Sequence, residues 1–117
     1  MGAEFFVKSQ DKNWYSENQN NLIKKLSELK TFIPKDIIDN EFWTFEGNEF
    51  WLQGFEERGN KNRWKYDVRL FFSEDDILLE ISMRPKTIEN DLSNYLTWIR
   101  SQTNISVNDE DGEPSGW

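Results

Sequence analysis

The amino-acid pattern predicts an α+β domain: a five-stranded, mainly antiparallel sheet with two helices on one of its faces, in the order β-α-β-β-β-β-α. Three observations support this. Across residues 41–83 large apolar side chains recur with a period near two, in short runs joined by polar turns, as consecutive antiparallel strands require. On either side of that region apolar residues recur at helical spacing, at Leu22, Ile23, Leu26 and Leu29 before it and at Ile88, Leu92, Tyr95, Leu96 and Ile99 after it. A chain of 117 residues is long enough for one core and too short for two.

Residues 3–8 read as the first strand, with Phe5 and Val7 on one face and Phe6 and Lys8 on the other. A polar stretch containing Trp14 and Tyr15 follows. Ser16 with Gln19 three residues later has the form of a capping box opening the first helix, and Pro34 is expected to stop that helix at about Ile33. The meander is read as runs 41–46 and 48–55 separated at Gly47, then 63–72 and 77–83, joined by polar turns at 56–62 and 73–76. In the third run Trp64, Tyr66, Val68 and Leu70 share one side, and Arg63, Lys65, Asp67 and Arg69 the other. Pro85 and Thr87 introduce the second helix, with Glu89 and Asp91 in its first turn and Arg100 near its end, the charge order that the helix dipole favours. The folded body is expected over 1–107, and 108–117 is read as an exposed acidic tail that Trp117 can tie down.

Composition narrows the chemistry. The chain has no Cys and no His, so disulfides, thiolate metal sites, a cysteine nucleophile and the commonest general base are all absent. The expectation is a protein that is not an enzyme, with no catalytic residue, no metal and no cofactor. Twenty-two acidic against fourteen basic residues give a net charge of −8, which disfavours phosphate backbones and anionic lipid and speeds capture of a basic partner. No stretch has the length of a membrane span, and Phe6 stands where a myristoylation pattern needs Ser or Thr, so a cytoplasmic location without membrane attachment is expected.

Several constellations compete for a role. The acidic run Asp109, Glu110, Asp111 and Glu113 lacks the ligand order of a calcium loop and reads as a solvated surface able to meet a cationic partner. The carboxylate pairs Glu56-Glu57 and Asp75-Asp76 fall in predicted turns, where neighbouring acids are usually hydrated. Arg58, Lys61, Arg63, Lys65 and Arg69 interleave with Trp64 and Tyr66, but alternation sends rings and charges to opposite faces of one strand. The aromatic runs at 42–45 and 50–52 put rings on both faces of their strands. Some of Trp43, Phe45, Trp51 and Phe55, or else Phe42 and Phe50, should therefore lie on the face without helices.

A small, acidic α+β domain without Cys or His, with an aromatic meander and the ending Asp109-Glu110-Asp111-Gly112-Glu113-Pro114-Ser115-Gly116-Trp117, resembles the immunity proteins of bacterial toxin systems, including contact-dependent growth inhibition. The likeness spans the whole chain in character. Those proteins do not share one fold, so no site is carried over residue by residue. The resemblance implies an antitoxin that binds a cognate, basic toxin domain, often a nuclease, and blocks its active site with acidic side chains. On that reading Asp109, Glu110, Asp111 and Glu113, or the turn acids Glu74, Asp75 and Asp76, face the toxin, and Trp51 or Trp117 anchors it. The chain is monomeric or dimeric. The alternatives are an acidic nucleic-acid mimic that inhibits a DNA-binding protein, and a nucleic-acid-binding module using the basic hairpin at Arg58, Lys61, Arg63 and Lys65.

Overall fold

In the structure, a computed structural model, residues 3–34, 48–56 and 66–117 are described. They form an α+β fold whose antiparallel sheet has six strands, not five, and is accompanied by three helices. The chain runs β1 (Ala3–Ser9), α1 (Lys12–Glu17), α2 (Gln19–Ser27), β2 (Phe32–Ile33), β3 (Glu49–Leu52), β4 (Val68–Phe72), β5 (Ile77–Ile81), α3 (Lys86–Gln102) and β6 (Ile105–Asn108). The strand order across the sheet is β2-β3-β4-β5-β1-β6. The strand expected over 41–46 lies outside the described residues.

The first helix departs most from expectation. Asp11, not Ser16, opens it: Asp11 Oδ1 accepts the N–H of Trp14 at 3.0 Å, the geometry of an N-cap. Asn18 then closes α1 and opens α2, its Nδ2 donating to the Trp14 carbonyl oxygen at 2.9 Å. Gln19 plays no part in a capping box; its Nε2 donates to the Ser73 carbonyl oxygen at 3.1 Å. The helix ends at Ser27, well before Pro34. Shortly beyond, α3 takes hold of the chain. Asp91 Oδ2 accepts both the Thr31 N–H at 2.9 Å and the Thr31 hydroxyl at 2.7 Å, and the next two residues extend into β2 beside β3.

One face of the sheet is packed by the helices. Val7, Leu52, Val68, Leu70, Phe72, Ile77, Leu79 and Ile81 meet Leu22 and Leu26 of α2 and the stripe Ile88, Leu92, Tyr95, Leu96 and Ile99 of α3 in a single core cluster. Phe50 belongs to this face, stacked edge-on against Phe72 at 5.8 Å. Tyr95 Oη donates to the Leu22 carbonyl oxygen at 2.8 Å, so the largest side chain of the α3 stripe is satisfied while buried between the helices.

Alternation in the third run is broken at Asp67. The buried Asp67 bends the chain, its backbone N–H donating to Leu52 O and its carbonyl accepting from Ser82. Tyr66 consequently lies with Trp51 at 4.8 Å and under Arg69 at 4.9 Å, on the side opposite Val68. Trp64 lies outside the described residues.

The first strand ends up second from the sheet edge, between β5 and β6. The short β6 is an addition to the expected order, with Ile105 and Val107 alternating with Ser106 and Asn108. The chain then turns back on itself. Asp109 N–H donates to Glu113 O, Asn108 bridges to Pro114, and Ser115 N–H donates to Val107 O at 3.0 Å. The last ten residues are therefore a pinned hairpin on the outer strand.

Candidate functional site

Because the helices cover one face, every second strand residue points to the other, where Glu49 and Trp51 of β3 are buried while the neighbouring strands are partly exposed. Cross-strand register orders its side chains into two rows. One runs Glu4, Glu80, Arg69, Trp51 and Ile33 across β1, β5, β4, β3 and β2. The neighbouring row runs Asn108, Phe6, Leu78, Phe71 and Glu49 across β6, β1, β5, β4 and β3. Phe6, Leu78 and Phe71 are each partly exposed, so three adjacent strands present a continuous apolar bar.

Arg69 organises the charged row. Its Nε and one terminal nitrogen donate to Glu80 Oε1 at 2.9 and 2.6 Å, and the other terminal nitrogen lies 3.6 Å from Glu49 Oε2. The guanidinium also sits 5.3 Å from the Phe71 ring centre. Glu49 is buried and accepts the Trp51 indole N–H at 2.7 Å, which accounts for its second partner. Burial pushes the Tyr66 phenol above its usual pKa, an effect that nearby Arg69 partly offsets. Two carboxylates, Glu49 and Glu80, thus share one guanidinium, and Glu4 on β1 stands across from Glu80 as a third acid of the row. A fourth joins them at the edge, where Glu110 Oε1 accepts the Glu4 N–H at 3.2 Å.

The sequence-derived site residues fall in different places. Glu110, Asp111 and Glu113 are exposed, whereas Asp109 Oδ1 is committed to shaping its own loop, accepting the N–H groups of Asp111 at 2.9 Å and Glu113 at 3.0 Å. Trp117 holds the hairpin to its own body. Its ring packs on the core under Arg84, at 4.4 Å, and Arg100 donates to its carbonyl oxygen. Trp51 is only 1% exposed, its ring packed into the sheet face and its indole N–H held by Glu49.

The turn acids are not part of the same surface. Val7 pairs with Ile77 and Ala3 with Ile81, so the 73–76 turn lies at the Ser9 end of β1 and Glu110 at its Glu4 end. Five residues of extended chain put the two groups about 17 Å apart. The turn is occupied locally as well, since Tyr15 Oη donates to the carbonyl oxygens of Ser73 and Asp76, each at 2.8 Å, and the Asp76 carboxylate accepts from the Ser73 hydroxyl at 2.9 Å. Glu74 and Asp75 remain exposed.

Glu56 has a structural partner: its carboxylate accepts the Thr87 N–H at 2.9 Å and the Thr87 hydroxyl at 2.5 Å. Glu57, Arg58, Lys61, Arg63 and Lys65 lie outside the described residues. Of the basic set, Arg69 is described and is ion-paired. Among the described residues no group of carboxylates is placed to hold a metal ion, and no helix is long and apolar enough to cross a membrane.

The sequence carries part of the signal for Phe6, Leu78 and Phe71: alternation puts Phe6 on the face opposite Phe5 but does not fix which residues of β5 and β4 stand beside it. No family model matches the chain, and neither a curated protein nor a solved structure matches it.

Proposed function

We propose that this protein is an inhibitor of the immunity type, which docks the helix-free face of its sheet on a basic toxin domain, a nuclease being the expected kind. One observation supports the reading above the others: a partly exposed apolar bar, Phe6, Leu78 and Phe71, bordered by Glu4 and Glu80 and extended at the edge by Glu110. Apolar contacts at the centre of an interface supply affinity, and a charged border supplies orientation and rate. A nuclease cleft is built to attract phosphate, so carboxylates compete for the same positive potential. The action needs no proton-transfer chemistry, in keeping with a chain that has neither His nor Cys.

The test starts from the genes that flank its own. A basic domain encoded there is expected to co-purify one-to-one with this chain and to lose its toxicity. Leu78→Lys should abolish the complex, and Glu4→Lys with Glu110→Lys should slow association most at low salt. If no flanking-encoded domain is captured, or these changes leave capture intact, the reading fails.

A further inference from the structure

At the Leu52 end of β3 a cleft of about 270 Å³ opens between the α2–β2 connection and the first half of α3. Its wall includes Phe55, the most exposed large apolar side chain among the described residues at 65%. That exposure does not come from a loose loop. On one side Gly54 N–H donates to the buried Asp67 carboxylate at 2.7 Å, and on the other Glu56 is held by Thr87, while Phe55 N–H itself donates to Thr87 Oγ1 at 3.0 Å. Gly54 is pressed so closely onto Pro85 that a Cβ there would lie 2.7 Å from Pro85 Cγ. The backbone is thus fixed at each neighbouring residue, with an apolar ring left in water.

Polar groups face the same cleft, already oriented and incompletely used. Asp91 is fixed through Oδ2 by the two Thr31 bonds, which leaves Oδ1 without a partner among the described residues. Asn90 and Asn94, one turn apart on α3, also lack side-chain hydrogen-bond partners among the described residues, and Lys30 stands across from them. Lys30 and Asp91 cancel in charge, so neither an anion nor a cation is favoured as a whole. The amides offer donors and acceptors, the carboxylate accepts and the ammonium donates. A ligand rich in hydroxyls can satisfy all of them, because each hydroxyl both donates and accepts.

We infer that this cleft binds a neutral saccharide, one sugar ring lying against Phe55 with its hydroxyls on Asn90, Asn94, Asp91 and Lys30. The apolar C–H face of a pyranose matches the exposed ring, and its hydroxyl edge matches the α3 wall. The volume falls just below the range of about 300–1,000 Å³ usual for small-ligand pockets, which suits a single ring or the terminal unit of a glycan. The inference does not depend on the proposed toxin partner, whose surface lies on the other face of the sheet.

The decisive experiment adds the methyl glycosides of glucose, galactose, mannose and N-acetylglucosamine singly to the ¹⁵N-labelled full chain, observing the Asn90 and Asn94 side-chain amides by NMR. At least one is expected to give saturable shifts there and at Phe55, with a Kd in the millimolar range or tighter. Phe55→Ala and Asn94→Ala, both at exposed positions and therefore expected to stay folded by circular dichroism, should each weaken that binding about tenfold or more. Absence of saturation by all four glycosides, equal shifts in Phe55→Ala, or saturation by adenosine or N-acetyl-arginine amide in their place would overturn the assignment. Parallel titration with a trisaccharide ending in the preferred sugar separates a free-monosaccharide site from one for a glycan terminus.

Discussion

Glu56 caps α3 from outside the helix: its carboxylate bonds the backbone N–H and the hydroxyl of Thr87, 31 residues further along the chain, while the residue preceding the helix, Pro85, provides no side-chain cap. A carboxylate on the first turn satisfies free N–H groups and meets the positive end of the helix dipole. These bonds hold the Glu56 carboxyl below its ordinary pKa of 4.5. A depressed folded-state pKa means a contribution to stability that is present above the unfolded pKa and is lost as pH falls through the folded one. Glu56→Gln should therefore lower the melting temperature at pH 7, and the gap to wild type should close as acid protonates Glu56. A gap independent of pH would show that the carboxylate charge is not what caps the helix.

The phenols titrate in the opposite sense. Burial raises the pKa of Tyr15, Tyr66 and Tyr95, which are all the tyrosines of the chain, above the ordinary 10.0. A proton held more tightly in the folded form gives stability that is complete below the unfolded pKa and declines as pH rises beyond it. Absorbance at 295 nm should accordingly show tyrosinate formation displaced to higher pH than for free tyrosine while the protein stays folded. Ionisation of Tyr15 and Tyr95, the two with large shifts, should coincide with alkaline loss of the circular dichroism signal.

Core truncation gives a direct measure of helix packing. Leu26 and Leu96 are at most 1% exposed, on α2 and α3 respectively. Replacing either with Ala should cost about 2–5 kcal/mol in urea unfolding, the upper end applying if the cavity cannot collapse.

Removing Arg69 should cost more than the loss of one exposed ion pair. Glu49 is 5% exposed and Glu80 is partly buried, so Arg69→Met strands two carboxylates with reduced solvation. A loss of about 2–4 kcal/mol is expected. Adding Glu49→Gln should recover part of it in a double-mutant cycle. A surface-like loss of less than about 0.5 kcal/mol would mean that the network is fully hydrated.

What could be read from the sequence follows the range of the forces involved. The stripe from Ile88 to Ile99 is set by helical periodicity over 17 residues, and every member proved buried. The faces of the first strand follow from simple alternation, which holds for Phe5 and Val7 against Phe6. The end of α2 depends instead on Asp91 capturing Thr31, a contact 60 residues away that no window along the chain contains. Tyr66 changed faces because Asp67 is tied to Leu52 and Ser82, again at a distance. The apolar bar required a register between β1, β5 and β4, and sequence alternation fixes faces without fixing neighbours. The acidic ending was visible in composition, but composition holds no record of the hydrogen bonds from Ser115 to Val107 that bend it back.

The position of β1 has a kinetic cost. Both its neighbours lie far along the chain: its register with β5 joins positions such as Phe5 and Leu79, and its register with β6 joins Val7 and Val107. Closing such long loops loses chain entropy before any contact repays it, so folding is expected to be slow for a domain of this length. During synthesis β1 must wait, its pairing edges unmet, until β5 and β6 have followed it out of the ribosome, and a truncation that removes β6 should leave it exposed to aggregation.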